Sequence, residues 1–257
     1  MKKILLIASL LTVSAYSFAS VKDCATAATS HDKKLEIEYC TPYLKDEKYP
    51  EATAILAAAT PDYKQSLNYA SWYVNYYEKN NSLNTTDAES TYTNILNMMG
   101  NIYYFGQAGK PDKAKGLEYI TKAANLGNAF AQYQLGGMYQ SGQNGEITRD
   151  IATGYKWTEI AIANGSQKAK NGFLNVNLDG FKKQAPYCIA MGEQLVAQAY
   201  INGFAGLPKD NSKAKDYLNQ AIDLYKTTKP TKANLKYCQT GADKLNLASA
   251  EKELKGL

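Results

Sequence analysis

The chain is poor in the side chains that enzymes most often use for acid–base and metal chemistry. It has one histidine, His31, among 257 residues. No Ser–His–Asp set can be argued from that single residue. Four cysteines, Cys24, Cys40, Cys188 and Cys238, give successive pairs 16 and 50 positions apart, so no C-x-x-C zinc spacing exists and no metal or cofactor is expected. Gly106-x-x-Gly109-Lys110-Pro111 is too short for a phosphate loop, and Pro111 stands where a magnesium-holding hydroxyl belongs. Ser30-x-x-Lys33 and Ser249-x-x-Lys252 lack the Ser-Asp-Asn and Lys-Thr-Gly partners of penicillin-type chemistry, and a lysine-rich chain makes such matches by chance. Charge of one sign is also missing. The formal net charge is +5, and dropping Lys2 and Lys3, the only charges in residues 1–19, leaves 5 − 2 = +3. That balance implies no nucleic-acid partner.

After the first twenty residues no apolar run is long enough to cross a bilayer. The opening stretch MKKILLIASLLTVSAYSFAS has two lysines, an apolar run over residues 4–13, and small residues at Ser17 and Ala19. This pattern predicts a secretory signal over residues 1–19, cleaved after Ala19, and a periplasmic protein without membrane insertion. Val21-Lys22-Asp23 lacks the small residues that precede a lipoprotein cysteine. In an oxidising compartment the cysteines form disulfides. Of three possible pairings we favour Cys24–Cys40 with Cys188–Cys238, because each pair lies within one terminal region. One continuous helix over 24–40 would hold those Cα atoms about 24 Å apart, so the first pair demands a break, for which residues 29–32 are suited.

What is present is a repeat. Met99-Gly100-x-x-Tyr103 leads to Gly106-x-x-Gly109, then Asp112-x-x-Lys115-Gly116-x-x-Tyr119 and Ala123-Ala124-x-x-Gly127. Leu135-Gly136-x-x-Tyr139 leads to Gly142-x-x-Gly145, then Asp150-x-x-Thr153-Gly154-x-x-Trp157 and Ala161-x-x-x-Gly165. Val196-Ala197-x-x-Tyr200 leads to Gly203-x-x-Gly206, then Asp210-x-x-Lys213-Ala214-x-x-Tyr217. Asp112 and Asp150 stand 38 positions apart, a period of stacked helical hairpins. Small residues at Ala123, Ala124 and Gly136 let paired helices approach, Tyr139 and Trp157 fill the space between hairpins, and the aspartates cap the second helices. Pro50, Pro61, Pro186 and Pro230 each precede an apolar-periodic run, and Thr86-x-x-Glu89 suits a capping box. The acids Glu36 and Glu38 are expected to be solvated.

The pattern resembles the Sel1-like repeat, a relative of the tetratricopeptide repeat. The likeness covers roughly residues 94–165 and 190–225, with a decayed copy over 166–185 in which Ala169 is kept and Asn177 replaces the tyrosine. It implies an all-α solenoid of stacked helical hairpins. We divide the chain into the signal (1–19), an irregular helical N-terminal region (20–93), the repeat array (94–229) and a C-terminal capping helix (230–257), formed by about residues 230–255. The resemblance further implies a non-enzymatic protein–protein interaction scaffold or adaptor in the bacterial envelope, such as an accessory factor of a secretion machine of the type VI kind. Alternatives are a periplasmic immunity protein against a delivered toxin, and a cell-wall hydrolase or penicillin-interacting enzyme, which would need clustered carboxylates or an activated serine.

With the Leu135-type residue of each first helix facing the core, positions two and five residues away on either side point roughly opposite at about 100° per residue. These are Asn94, Asn97, Asn101 and Tyr104 in the first repeat; Phe130, Tyr133, Gly137 and Gln140 in the second; Met191, Gln194, Gln198 and Ile201 in the third. Stacking would align them as an uncharged inner face, with the amide and aromatic composition of interface centres. A second candidate lies in NYASWYVNYY, residues 68–77, where Tyr69, Trp72, Tyr73, Tyr76 and Tyr77 form one helical stripe. That stripe is either the core of the N-terminal region or a docking ridge.

Overall fold

A computed structural model describes residues 20–80, 86–142, 146–170, 185–233, 235–238 and 241–257. They form twelve α-helices and one 3-10 turn, with no β-strand among the described residues. The expected signal segment, residues 1–19, and Asn177 lie outside them.

The N-terminal region is α1 (Val21–Ser30), α2 (Lys33–Cys40), a turn at Thr41–Tyr43, α3 (Pro50–Ala59) and α4 (Tyr63–Asn80). The chain breaks between α1 and α2 where expected. His31 takes a left-handed conformation (φ 56°), and Asp32 caps α2 by accepting from the Lys34 and Leu35 amides at 3.0 and 3.3 Å. The break folds α1 back on α2 and brings the Cys24 and Cys40 Cα atoms to 4.8 Å, where they form a disulfide. Pro50 opens α3 as a first-turn proline, whereas Pro61 precedes Asp62, which caps α4.

Three hairpins follow. α5 (Thr86–Phe105) pairs with α6 (Lys113–Asn125), α7 (Ala129–Ser141) with α8 (Ile151–Ala163), and α10 (Pro186–Asn202) with α11 (Asn211–Thr227); the short α9 (Gln167–Lys170) leaves α8. Thr86 is the first residue of its helix, so the cap position lies before it, outside the described residues. Each second helix is entered identically. Asp112, Asp150 and Asp210 accept from the amides of Lys115, Thr153 and Lys213 at 3.0, 2.8 and 2.9 Å. Their own amides donate to the carbonyls of Tyr103, Tyr139 and Tyr200 at 2.9, 2.8 and 3.1 Å. One aspartate thus both starts the second helix and ties it to the first.

Small residues set the spacing within each hairpin. A Cβ on Gly100 would meet the Gly116 carbonyl at 2.9 Å, and one on Gly154 the Gly136 carbonyl at 3.1 Å. Ala123, Ala124 and Ala131 are fully buried in the same planes. Trp157 is buried and meets Phe204 of the third hairpin, ring centroids 5.9 Å apart, so it fills the gap between repeats. Ala169 on α9 is fully buried. Hairpin packs on hairpin, and the buried side chains join into one continuous core, which no hairpin could form alone.

The C-terminal region departs from one long capping helix. Only α12 (Leu247–Lys255) is helical; the described residues 230–246 make turns, and Pro230 opens no helix. The second disulfide explains the break. Cys238 must reach Cys188 on α10, at a Cα separation of 5.5 Å, and Gly241 (φ 76°) then redirects the chain.

Candidate protein-binding face

The expected row divides into a surface part and a buried part. Asn94 and Phe130 are exposed; Asn101, Tyr133, Gln198 and Ile201 are half-buried; Gly137 is exposed. Asn101 and Gln134 exchange amide hydrogen bonds between α5 and α7: Gln134 Nε2 donates to Asn101 Oδ1 at 2.7 Å, and Asn101 Nδ2 to Gln134 Oε1 at 3.4 Å. Asn128 Nδ2 donates to Asn94 Oδ1 at 2.8 Å beside them. Phe130 and Tyr133 lie one turn apart on α7, ring centroids 6.3 Å apart, and the Lys168 ammonium of α9 sits 4.7 Å above Phe130. A cleft of about 250 Å³ adjoins Asn101, walled by Lys33, Tyr63, Ser66, Met98 and Gln107.

The remaining positions are corrected by the structure. Tyr104 and Gln140 are buried against the second helix of their own hairpin: a Cβ on Gly116 would lie 2.6 Å from Tyr104 Cβ, and Gln140 Nε2 donates to Thr158 Oγ1 at 3.3 Å. Asn97 is 7% exposed. Met191 and Gln194 are fully buried, because α10 is covered by α8, α11 and the C-terminal segment. A helix wheel places residues about a single axis with one packed side. In a stacked array each first helix also touches the next repeat, so part of the face opposite its own hairpin becomes a seam.

In the third repeat that seam holds α12. Gln194 Nε2 donates to Ser249 Oγ and to Glu253 Oε1, both at 2.9 Å; Gln198 Nε2 reaches the same Glu253 oxygen at 2.9 Å; and Tyr225 Oη donates to Gln194 Oε1 at 3.0 Å. Ala250 is fully buried and Leu254 half-buried, the spacing of Ala131 and Leu135 on α7. The C-terminal helix thus takes the place of the next repeat's first helix.

The tyrosine stripe on α4 is chiefly core. Tyr73 is fully buried and Tyr77 is 4% exposed, its hydroxyl donating to Glu51. Trp72 and Tyr76 stack with centroids 5.5 Å apart and remain half-buried, Tyr76 donating to the Glu47 carbonyl at 3.0 Å. Tyr69 is half-buried and accepts from Gln65 at 2.7 Å. Tyr73 and Tyr77, on successive turns, form the buried side of the stripe, and Tyr69, Trp72 and Tyr76 form its half-buried side.

A family profile for the Sel1 repeat matches residues 96–128, 129–166 and 187–225, the three hairpins described above. The chain carries three Sel1 repeats. No curated protein matches it. Among solved structures it is similar to a Sel1 repeat protein from Oxalobacter formigenes, at 22% identity over 75% of this chain and 46% of that one, TM-score 0.39. It is also similar to a protective antigen of uropathogenic Escherichia coli strains displaying an SLR fold, at 17% identity over 91% of this chain and 55% of that one, TM-score 0.38. The chain therefore spans about half the length of the solved structures it matches.

Sel1 repeats suggest a protein–protein interaction scaffold. In this Sel1-repeat chain the two disulfides fit an oxidising, extracytoplasmic setting, and no described helix is long and apolar enough to cross a membrane. No group of three or more His, Cys, Asp or Glu side chains able to hold a metal ion occurs among the described residues. Glu36, expected to be solvated, is 8% exposed. Sequence reasoning missed Gln134, the partner of Asn101, because it flanks Leu135 rather than opposing it. It also missed Tyr155, buried with its hydroxyl 2.7 Å from Glu193 Oε1. Burial first, then the nearby Glu193 carboxylate, raises the Tyr155 pKa far above the usual phenol range.

Proposed function

We propose that the chain is an exported interaction scaffold of the bacterial envelope, and that it docks a partner protein on the first helices of repeats one and two. The observation that carries this reading is the surface group Asn94, Asn101, Gln134, Phe130 and Tyr133. Amides that pair across α5 and α7, two accessible rings and an adjoining cleft form a patch lined by no carboxylate among the described residues, on an array whose fold family suggests partner binding. Gln134 keeps one amide hydrogen, and both side-chain oxygens keep acceptor capacity, for a peptide backbone, whereas Asn101 spends its two hydrogens on the Asn97 carbonyl and Gln134. Service as an accessory factor of an envelope secretion machine is the setting we favour, because a patch built of amides and rings, edged by Lys33 and Lys168, suits an assembly contact better than a densely charged enzyme cleft.

The test compares wild type with Phe130→Arg/Tyr133→Arg in affinity capture from envelope extract, followed by binding of the purified partner. Both positions are solvent-accessible, so the variant should keep the wild-type melting temperature. We expect the double variant to weaken the purified pair by about 100-fold, the scale of two interface aromatics. An unchanged affinity for the same partner rejects this face. Deletion of the gene should impair assembly of the machine to which that partner belongs.

A further inference from the structure

Lys156 lies between repeats two and three, on α8, facing α10. It lines a pocket of about 350 Å³ with Leu195, Gln198, Ala199, Asn202 and Phe204. Its ammonium sits 4.3 Å from the Trp157 ring centroid and 5.7 Å from that of Phe204, and Phe204 is 38% exposed. Among the described residues no carboxylate lies within ion-pair distance of it; the two ion pairs there are Lys113–Glu146 and Lys122–Glu78. Burial lowers its pKa to about 8, with Asp150, whose Oδ1 caps α8, opposing the shift from beyond ion-pair distance. A half-buried cation without a counter-ion is costly, and a carboxylate brought into the pocket would relieve that cost.

The two amides beside it are suited to help. Gln198 Nε2 uses one donor on Glu253, and Asn202 Nδ2 uses one on the Gln198 carbonyl at 2.8 Å. Each amide nitrogen carries two hydrogens, so each has a second donor to offer. The pair Gln194 and Gln198 already grips one carboxylate, that of Glu253, so carboxylate recognition by α10 amides is visible in the molecule itself. Phe204 and Leu195 supply an apolar floor beside the charge.

We infer that this pocket receives a glutamate side chain of the partner protein, with an apolar neighbour of that glutamate packed on Phe204 and Leu195. Lys156 binds the carboxylate as a point charge, Gln198 and Asn202 orient it, and the rings exclude water from the pair. The inference rests on the scaffold reading and adds the chemistry of the partner: an acidic residue flanked by apolar ones, docked at the seam of repeats two and three.

The test titrates the full chain with two blocked peptides, acetyl-Leu-Glu-Leu-amide and its Leu-Gln-Leu counterpart, followed by NMR of the lysine side chains and by calorimetry. We expect the glutamyl peptide to bind at least about tenfold tighter than the glutaminyl one and to shift the Lys156 resonance. Lys156→Gln should abolish that preference, and Lys156→Arg should keep most of it, both with wild-type circular dichroism. Equal affinities, a preference that survives in Lys156→Gln, or no binding of either peptide up to roughly 10 mM overturns the inference. The capture experiment on Phe130 and Tyr133 is independent of this outcome. A partner captured through that face while the peptides fail here rejects the pocket and leaves the scaffold reading standing.

Discussion

Gly127, which ends the first hairpin, touches Gly206, in the loop of the third. A Cβ on Gly206 would lie 2.8 Å from Gly127 Cα, and one on Gly127 would lie 3.1 Å from Gly206 Cα. Both have positive φ, 94° and 82°. Around this contact Gln132 Nε2 donates to the carbonyls of Ala124 and Ala205, each at 2.9 Å. Asn164 Nδ2 donates to the Ala205 carbonyl at 2.8 Å and to Gln132 Oε1 at 3.0 Å. One buried glutamine thereby locks the end of repeat one, the end of repeat two and the loop of repeat three.

Gly206→Ala should destabilise the protein by about 2–5 kcal/mol, adding left-handed strain to a backbone clash. Gly127→Ala should behave alike, and the double variant should cost less than the sum, since one separation of the two loops relieves both. Gly165 is the control. Its φ is 89° but nothing lies within 4 Å of a Cβ there, so Gly165→Ala should cost only about 1 kcal/mol. Urea denaturation reads all four; equal losses at 165 and 206 would refute a contact effect.

Gln194 is the clamp of the C-terminal helix. Gln194→Ala strips partners from Ser249, Glu253 and Tyr225 together and should cost about 2–4 kcal/mol, with early hydrogen exchange over residues 247–255. Glu253→Gln keeps the acceptor and should change stability by less than about 1 kcal/mol. Uniform exchange across the chain in Gln194→Ala would show that α12 is not the element it holds.

Replacing both Cys188 and Cys238 by alanine should lower stability by about 2–5 kcal/mol. It frees the turn whose Tyr237 carbonyl accepts from the Ile151 amide at 2.7 Å, at the start of α8. The Cys24–Cys40 pair closes a loop of 16 positions rather than 50, so its removal should cost less. Calorimetry of the two double variants orders them; the reverse order would contradict the loop argument.

Alkaline pH should unfold the protein. Burial raises the pKa of Tyr73, Tyr155, Tyr217 and Tyr225, and pushes Tyr77 up to about 12. Above about pH 10 the unfolded chain loses phenol protons that the folded chain keeps, so stability falls as pH rises. Lys156 works the other way. Its pKa is lowered to about 8, so the unfolded state binds more protons from there to its ordinary value, and stability rises across that window. Urea midpoints should therefore peak between roughly pH 8 and 10 and drop beyond. A flat profile through pH 11 would show that these phenols stay accessible.

The repeat is legible in the chain alone. Capping aspartates, glycines at the closest approach and a period of 38 positions are local requirements, each met by neighbours in the chain, and the break at residues 29–32 follows from the reach of a single disulfide. Which polar residues stay at the surface depends instead on how the helices pack. Asn97, Gln194 and Met191 resemble Asn101 and Gln198 in spacing, but they are buried because a neighbouring repeat, or α12 in its place, covers that flank. The same holds for Tyr73 and Tyr77 on α4. A helix wheel carries the angle of each residue about one axis; burial depends on how many helices surround that axis, and that number is set by stacking.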